Sequence, residues 1–244
     1  MKTFNWLFAA MGLLILAQPA NATSLTAQWF TLSTSDADVG GAQCCNTFPN
    51  MVNSTLGPNG LPVLSSTYSG PTISDVNSNR ELTWWSPLLN TNVVSTGSSL
   101  LTVPVGQNMF PPNGTGSNDN FSYQTAVLTG TLVVPVLESV IFTLGSDDDS
   151  FLAIGNNVIA QVGGVHASGS ANYSTILGPG SYLLTLFYAD RDQVAAYLDF
   201  SVDTVGVTLS GTTPLPATLP LLASGLGAFG LLGWRRKRKA QAAA

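Results

Sequence analysis

Along most of this chain apolar residues alternate with polar ones, the spacing of strands that turn one face to a core and the other to water. Leu25 to Leu32 (LTAQWFTL) reads as the first strand, with Trp29 and Phe30 supplying bulk. The pattern predicts further strands at Glu81 to Trp85 and at Leu100 to Val105, the latter stopped by Pro104. Residues 111–120 (PPNGTGSNDN) form a loop by every local rule. Thr125 to Leu137 reads as extended, with Gly130 and Pro135 implying bends or a sheet edge. Ser139 to Leu144 is a buried strand, and Ser181 to Tyr188 is apolar on both faces, which predicts a central strand. Residues 196–203 alternate cleanly, as a half-exposed strand does. Outside the two ends no stretch has helical spacing. The fold class is therefore all-β, a β-sandwich. The turn-rich span 33–120 is too apolar for disorder and is expected to be an irregular N-terminal elaboration packed on that sandwich.

The two ends break the pattern. Residues 1–22 combine Lys2, an apolar stretch from Trp6 to Leu16 and a small-residue site at Ala20-Asn21-Ala22, the layout of a cleaved secretory signal peptide. Ala217 to Trp234 is an apolar run long enough to span a bilayer, followed by basic residues from Arg235 to Lys239. With Pro214-Leu215-Pro216 ahead of it, the segment 211–244 resembles the PEP-CTERM sorting signal of Gram-negative bacteria, Leu215 standing where that family usually carries glutamate. The resemblance implies transient inner-membrane anchoring through 217–234, processing by an exosortase-type enzyme, and release to the cell surface or extracellular matrix. A permanent transmembrane anchor is the alternative. Residues 23–210 are left as one exported domain.

Charge sharpens this. The chain of 244 residues is 45% hydrophobic yet only 9% charged, against roughly 25% in ordinary globular chains. Its formal net charge of −5 hides an asymmetry, because all the bases except Arg80 and Arg191 lie at the ends, whereas the 13 acids lie between them. A middle this acidic excludes nucleic acid as a partner and makes a cation the natural complement. The two cysteines, Cys44 and Cys45, are adjacent, so no disulfide framework forms within one chain; a free pair, a vicinal bridge and intermolecular pairing stay open. An Asp36-x-Asp38 pair before Gly40 is a faint echo of a calcium loop.

The densest chemistry lies between Phe142 and Phe200. Asp147, Asp148 and Asp149 stand in a row, the single histidine, His166, follows in a glycine-rich loop, and Asp190 and Arg191 follow a strongly apolar strand. The segments GSDDDSFLAIGNN, GGVH and LFYADR, with a Gly180-Ser181-Tyr182 turn between the last two, resemble the fibro-slime family, a bacterial branch of the protective-antigen-type (PA-fourteen) β-sandwich modules. The family often reads DGxLV where this chain has Gly155 to Ile159, and an acid before GGVH where this chain has Gln161 and Val162.

In lectin-like relatives an Asp-Asp pair joined by a cis peptide chelates calcium, and the ion contacts sugar hydroxyls. The resemblance thus implies a Ca²⁺ site at Asp147 and Asp148, or at Asp148 and Asp149. On their own chemistry, three adjacent carboxylates suit a hard cation or form a solvated acidic turn. His166 is either a hydrogen-bond partner for the acids and ligand or a structural loop residue, and Asp190 and Arg191 either contact ligand or pair internally. The catalytic inventory is thin: one histidine, no Gly-x-Ser-x-Gly elbow, no phosphate loop. The expected function is non-catalytic binding of an exopolysaccharide or cell-surface glycan by an exported surface or biofilm-matrix protein. A purely structural matrix or adhesion protein is the alternative, and a glycoside hydrolase comes third.

Overall fold

The structure, a computed structural model, describes residues 23–40 and 45–211; the expected signal peptide and sorting segment lie outside the described residues. Thirteen strands make up the described chain: β1 Ser24–Ser33, β2 Val52–Leu56, β3 Pro62–Leu64, β4 Val93–Thr102, β5 Val105–Asn108, β6 Ser122–Val134, β7 Glu138–Asp147, β8 Asp149–Ile154, β9 Asn157–Val162, β10 Gly169–Leu177, β11 Gly180–Ala189, β12 Tyr197–Val202 and β13 Thr208–Gly211. The larger sheet has nine strands in the order β3-β2-β9-β8-β11-β6-β1-β4, with β13 also pairing with β6. The smaller has four, in the order β10-β7-β12-β5. Neighbouring strands in both are antiparallel. The fold is a β-sandwich.

Strand alternation explains its two cores. Trp29, Leu128, Leu152, Leu186 and Tyr188 face the smaller sheet and meet Phe142, Leu144, Leu198 and Phe200 there. Their immediate neighbours Phe30, Phe151, Phe187 and Ala189 point the other way, onto Met51, Leu82, Trp84 and Trp85 from the elaboration. Strand β11 is apolar on both sides because it lies between β8 and β6 with a core on each face. Each wholly buried large side chain contributes about 1.5–3 kcal/mol over exposure, so the elaboration adds substantially to stability.

Three sequence expectations change. Glu81 to Trp85 is not a strand: only isolated bridges, Val63 with Glu81 and Val76 with Leu82, form there. Side chains fix the segment instead, Glu81 accepting from Asn59 and Asn77 and Trp85 Nε1 donating to the Tyr188 carbonyl at 2.7 Å. The strand at Leu100 ends at Thr102, and the chain crosses to the other sheet through the cis Val103–Pro104 bond before β5. Gly130 makes no bend in β6; a side chain there would collide with Leu25 of β1 and crowd Ser210 of β13.

Candidate functional site: the acidic turn

Strand β7 ends at Asp147 in the smaller sheet and β8 starts at Asp149 in the larger, so Asp148 is the crossing. Of the two pairs the sequence leaves open, Asp147 and Asp148 are the ones joined by a cis peptide. All three acids are buried, yet their carboxylates serve different partners. Asp147 accepts from Ser168 N at 3.0 Å. Asp148 accepts from His166 N at 3.1 Å and, through its other oxygen, from Arg191 N at 2.7 Å. Asp149 accepts from Gly164 N at 2.7 Å and pairs with Arg191 Nε at 2.5 Å. The run thus pins the GGVH loop to the corner after β11 and brings three motifs that are distant in sequence into one contact set.

Arg191 is a clamp. It is 1% exposed, its Nη1 donates to the Asp38 carbonyl at 3.2 Å, and its guanidinium lies 4.7 Å from the centre of the Trp84 ring. Trp84 in turn donates to the Asp38 carboxylate at 2.9 Å. Each of these contacts is to the protein itself, and with Asp149 they form a buried, hydrogen-bonded ion pair. Asp149 is therefore paired by charge as well as by hydrogen bond, whereas Asp148 is held by a backbone N–H at each oxygen.

Asp190 is the opposite case. It is wholly buried, neither carboxylate oxygen has a hydrogen bond of full geometry, and the groups nearest to giving one are the Asp192 N–H and the Asp119 carboxyl. Beside it stands Asp119, 2% exposed, whose Oδ2 is also unpartnered. In the sequence Asp119 is one acid in a loop of Gly, Ser and Asn, with no pattern that marks it out. The carboxylates stand as two close pairs, Asp147 with Asp148 and Asp119 with Asp190. Burial pushes the Asp148 carboxyl up to about 8, with the Asp149 charge adding to it. Burial and then the Asp148 charge raise Asp190 well above the usual carboxylate range, and burial likewise raises Asp147 and Asp119.

A pocket of about 440 Å³ opens against this turn. Asp147, Asp148, His166, Ser168 and Asp192 supply its polar lining; Val165, Val194, Ala195 and Cys45 supply the apolar side. His166 Nδ1 contacts the Ala167 carbonyl at 2.9 Å, and its Nε2 has no partner. Cys45 is disulfide-bonded, which removes the free-thiol alternative.

These residues offer the oxygen donors that a hard cation takes, but no three of their carboxylates converge as placed. A buried carboxylate without a partner carries a desolvation cost that a proton or a cation must remove. Oxygen donors alone suit Ca²⁺ better than a transition metal. Among the described residues, though, the one set of three acids whose oxygens lie within 4.8 Å of one another is elsewhere, at Asp36, Asp38 and Asp75.

No family model matches the chain, and no curated relative is found. Among solved structures it is similar to the PA14 sugar-binding domain from an RTX adhesin, at 13% identity and TM-score 0.36, covering 77% of this chain and 94% of that one. It is also similar to the A domain of epithelial adhesin 9 from Candida glabrata in complex with Galβ1-4GlcNAc, at 15% identity and TM-score 0.39, over 78% and 88%. A third is an α-xylosidase from Xanthomonas citri, at 15% identity and TM-score 0.35 over 51% of this chain, which spans only 13% of that enzyme's length. Two β-glucosidase structures from Kluyveromyces marxianus are likewise matched over only 14% and 16% of their lengths.

Proposed function

We propose that this chain is an exported surface or matrix protein that binds polysaccharide non-catalytically, with a calcium ion at the acidic turn as part of the binding site. One observation carries the reading: Asp190 is wholly buried among the acids Asp148 and Asp119, with no basic side chain of the described residues paired to it and no hydrogen bond of full geometry at either oxygen. Asp147, Asp148, Asp190 and Asp119 would supply the calcium ion's carboxylate oxygens, drawn together on binding, since no three of them stand within 4.8 Å of one another beforehand. Bound there, calcium supplies coordination positions that vicinal sugar hydroxyls can occupy in place of water.

The chain's own residues do the rest. His166 lines the pocket, and its buried, unpartnered Nε2 would exchange a hydrogen bond with a hydroxyl once a small shift of the ring uncovers it. Val194 and Ala195 offer an apolar wall suited to the C–H face of a pyranose, opposite in character to the acidic side. A shallow polar site gains little over water, so single-site affinity should be millimolar to high micromolar, about 4–6 kcal/mol. Display of many copies on a surface would raise it.

Export and processing of the C-terminal segment by an exosortase-type enzyme complete the proposal. They rest on the residue pattern of 1–22 and 211–244. Intact mass of the protein recovered from its host's surface should lack Arg235 to Lys239; a main species retaining them overturns that part.

A glycan array probed with the purified chain tests the binding reading. Signal should appear with calcium, vanish with chelator, and be absent for Asp190→Asn. Binding that survives both treatments, or no binding to any glycan, removes the reading and leaves a structural matrix protein.

A further inference from the structure

We infer that the chain carries a second saccharide subsite, a cleft beside Phe121 that takes the apolar face of a neutral pyranose. The inference rests on the polysaccharide reading and deepens it: the chain grips more than one sugar of a polymer. Phe121 is 88% exposed. A ring so placed buries almost no surface, so the core does not account for it, and its face is open to a ligand. It borders a cleft of about 510 Å³. Pro111, Pro112 and Phe121 give the cleft apolar surface, and Thr31, Ser117 and Asn118 give it hydroxyls and an amide. None of the described residues lining it is ionisable, so a charged ligand would find no counter-charge there. A pyranose has the matching character, a C–H face with a rim of neutral hydroxyls.

The loop that forms the cleft is held in shape from within. Thr115 N donates to the Pro112 carbonyl at 3.1 Å and Gly116 N to the Phe110 carbonyl at 3.2 Å. A side chain at Gly116 would collide with the Pro111 carbonyl, so the close turn requires glycine. Asn113 ties the loop to β4: its Nδ2 donates to the Thr96 carbonyl at 3.4 Å, and Thr96 Oγ1 donates to its Oδ1 at 2.5 Å. A cleft formed in advance spares a weak ligand the cost of ordering a loop.

The same loop reaches the acidic turn. Asn118 and Phe121 line the cleft, while Asp119 between them is buried beside Asp190 and feels the charge of Asp192. Asp192 in turn lines the pocket at the acidic turn. Residues 118–121 therefore serve both recesses, which makes one polymer, and not two unrelated ligands, the occupant that fits. Two contacts on one polymer act as linked sites, the second forming at the effective concentration set by the first. A single sugar gains no such advantage, so the arrangement favours an internal run of polysaccharide.

Saturation-transfer NMR on the full chain in excess chelator tests this, with the methyl glycosides of glucose, galactose, mannose and N-acetylglucosamine as probes. Chelator switches off the calcium-dependent pocket and leaves the cleft. Ring C–H protons of at least one probe should receive saturation. Phe121→Ala should reduce that transfer at least about fivefold, and Phe121→Trp should keep it, because stacking needs an aromatic face. No transfer from any probe in chelator overturns the subsite, as does transfer that Phe121→Ala leaves unchanged. A concentration-dependent dimer that Phe121→Ala dissolves would assign the ring to a contact between copies and overturn it too. Failure of the acidic-turn reading shows differently, as a glycan array on which calcium has no effect, and leaves this measurement standing.

Discussion

Arg191 and Asp190 are neighbours in sequence with opposite electrostatic fates. Arg191 is matched by Asp149 and roofed by Trp84, so removing it strands a buried carboxylate. Arg191→Met should cost about 3–5 kcal/mol in denaturant unfolding, the range for breaking a buried pair from one side. A loss under about 1 kcal/mol would place the pair among weak surface bridges and contradict its burial. The acids on the other side set a pH dependence. The Asp148 carboxyl is raised from 3.8 to about 8, so folding favours its protonated form. Its contribution is fully present below about pH 4 and is lost as pH rises through 8. Asp190, Asp147, Asp119 and Asp75 are raised too and act in the same direction. For Glu81 burial pushes up, but donors from Asn77 and Asn59 outweigh it, so its effect falls below about pH 4.5. Chelated protein should therefore be less stable at pH 8 than at pH 5, and calcium should restore the loss at pH 8. Equal denaturation midpoints at both pH values without calcium would contradict the buried, uncompensated carboxylates.

At the scale of elements, the loop after β9 exists to bring backbone N–H groups to carboxylates. Gly164 has φ of +100° and its N–H serves Asp149, and a side chain there would run into the Asn46 carbonyl and the Phe48 ring. Gly164→Ala should lower stability by about 1–3 kcal/mol through backbone strain alone and disturb the adjacent His166 N–H to Asp148 contact. Backbone amide exchange at 164–168 would report it: unchanged protection would mean that the loop does not depend on this glycine. Much of this element was legible in advance. Alternation located β1, β7, β11 and β12, and the double-sided apolar character of 181–188 correctly implied a central strand. Glu81 to Trp85 misled because its apolar residues reach different neighbours through indole N–H groups and a buried carboxylate, which no local pattern encodes. For the site, the motif order pointed to the acidic turn, Asp190 and His166. Asp119 escaped because it approaches Asp190 only through the fold, and the convergence of Asp75 on Asp36 and Asp38 is equally non-local.

The whole molecule raises the question of whether residues 34–92 are an accessory or a half of the fold. Their side chains cover the outer face of the larger sheet with Met51, Leu82, Trp84 and Trp85, all buried. Trp85 is the keystone of that contact, its ring 5.1 Å from Phe187 and 6.2 Å from Phe151, its Nε1 on the β11 backbone. Asp38 and Trp84 from the same region hold the Arg191 clamp, so the elaboration and the acidic turn share one set of contacts. A region coupled in this way cannot melt alone without exposing both β11 and the ion pair. The described chain should therefore unfold in a single cooperative transition, with intrinsic fluorescence and far-ultraviolet circular dichroism changing together. Trp85→Ala should lower stability by about 3–5 kcal/mol, as large-to-small changes at aromatic core positions do, and should shift both signals by the same amount. Two separated transitions, or a Trp85→Ala effect confined to fluorescence, would show that the elaboration is an independent cover and that the acidic turn keeps its geometry without it.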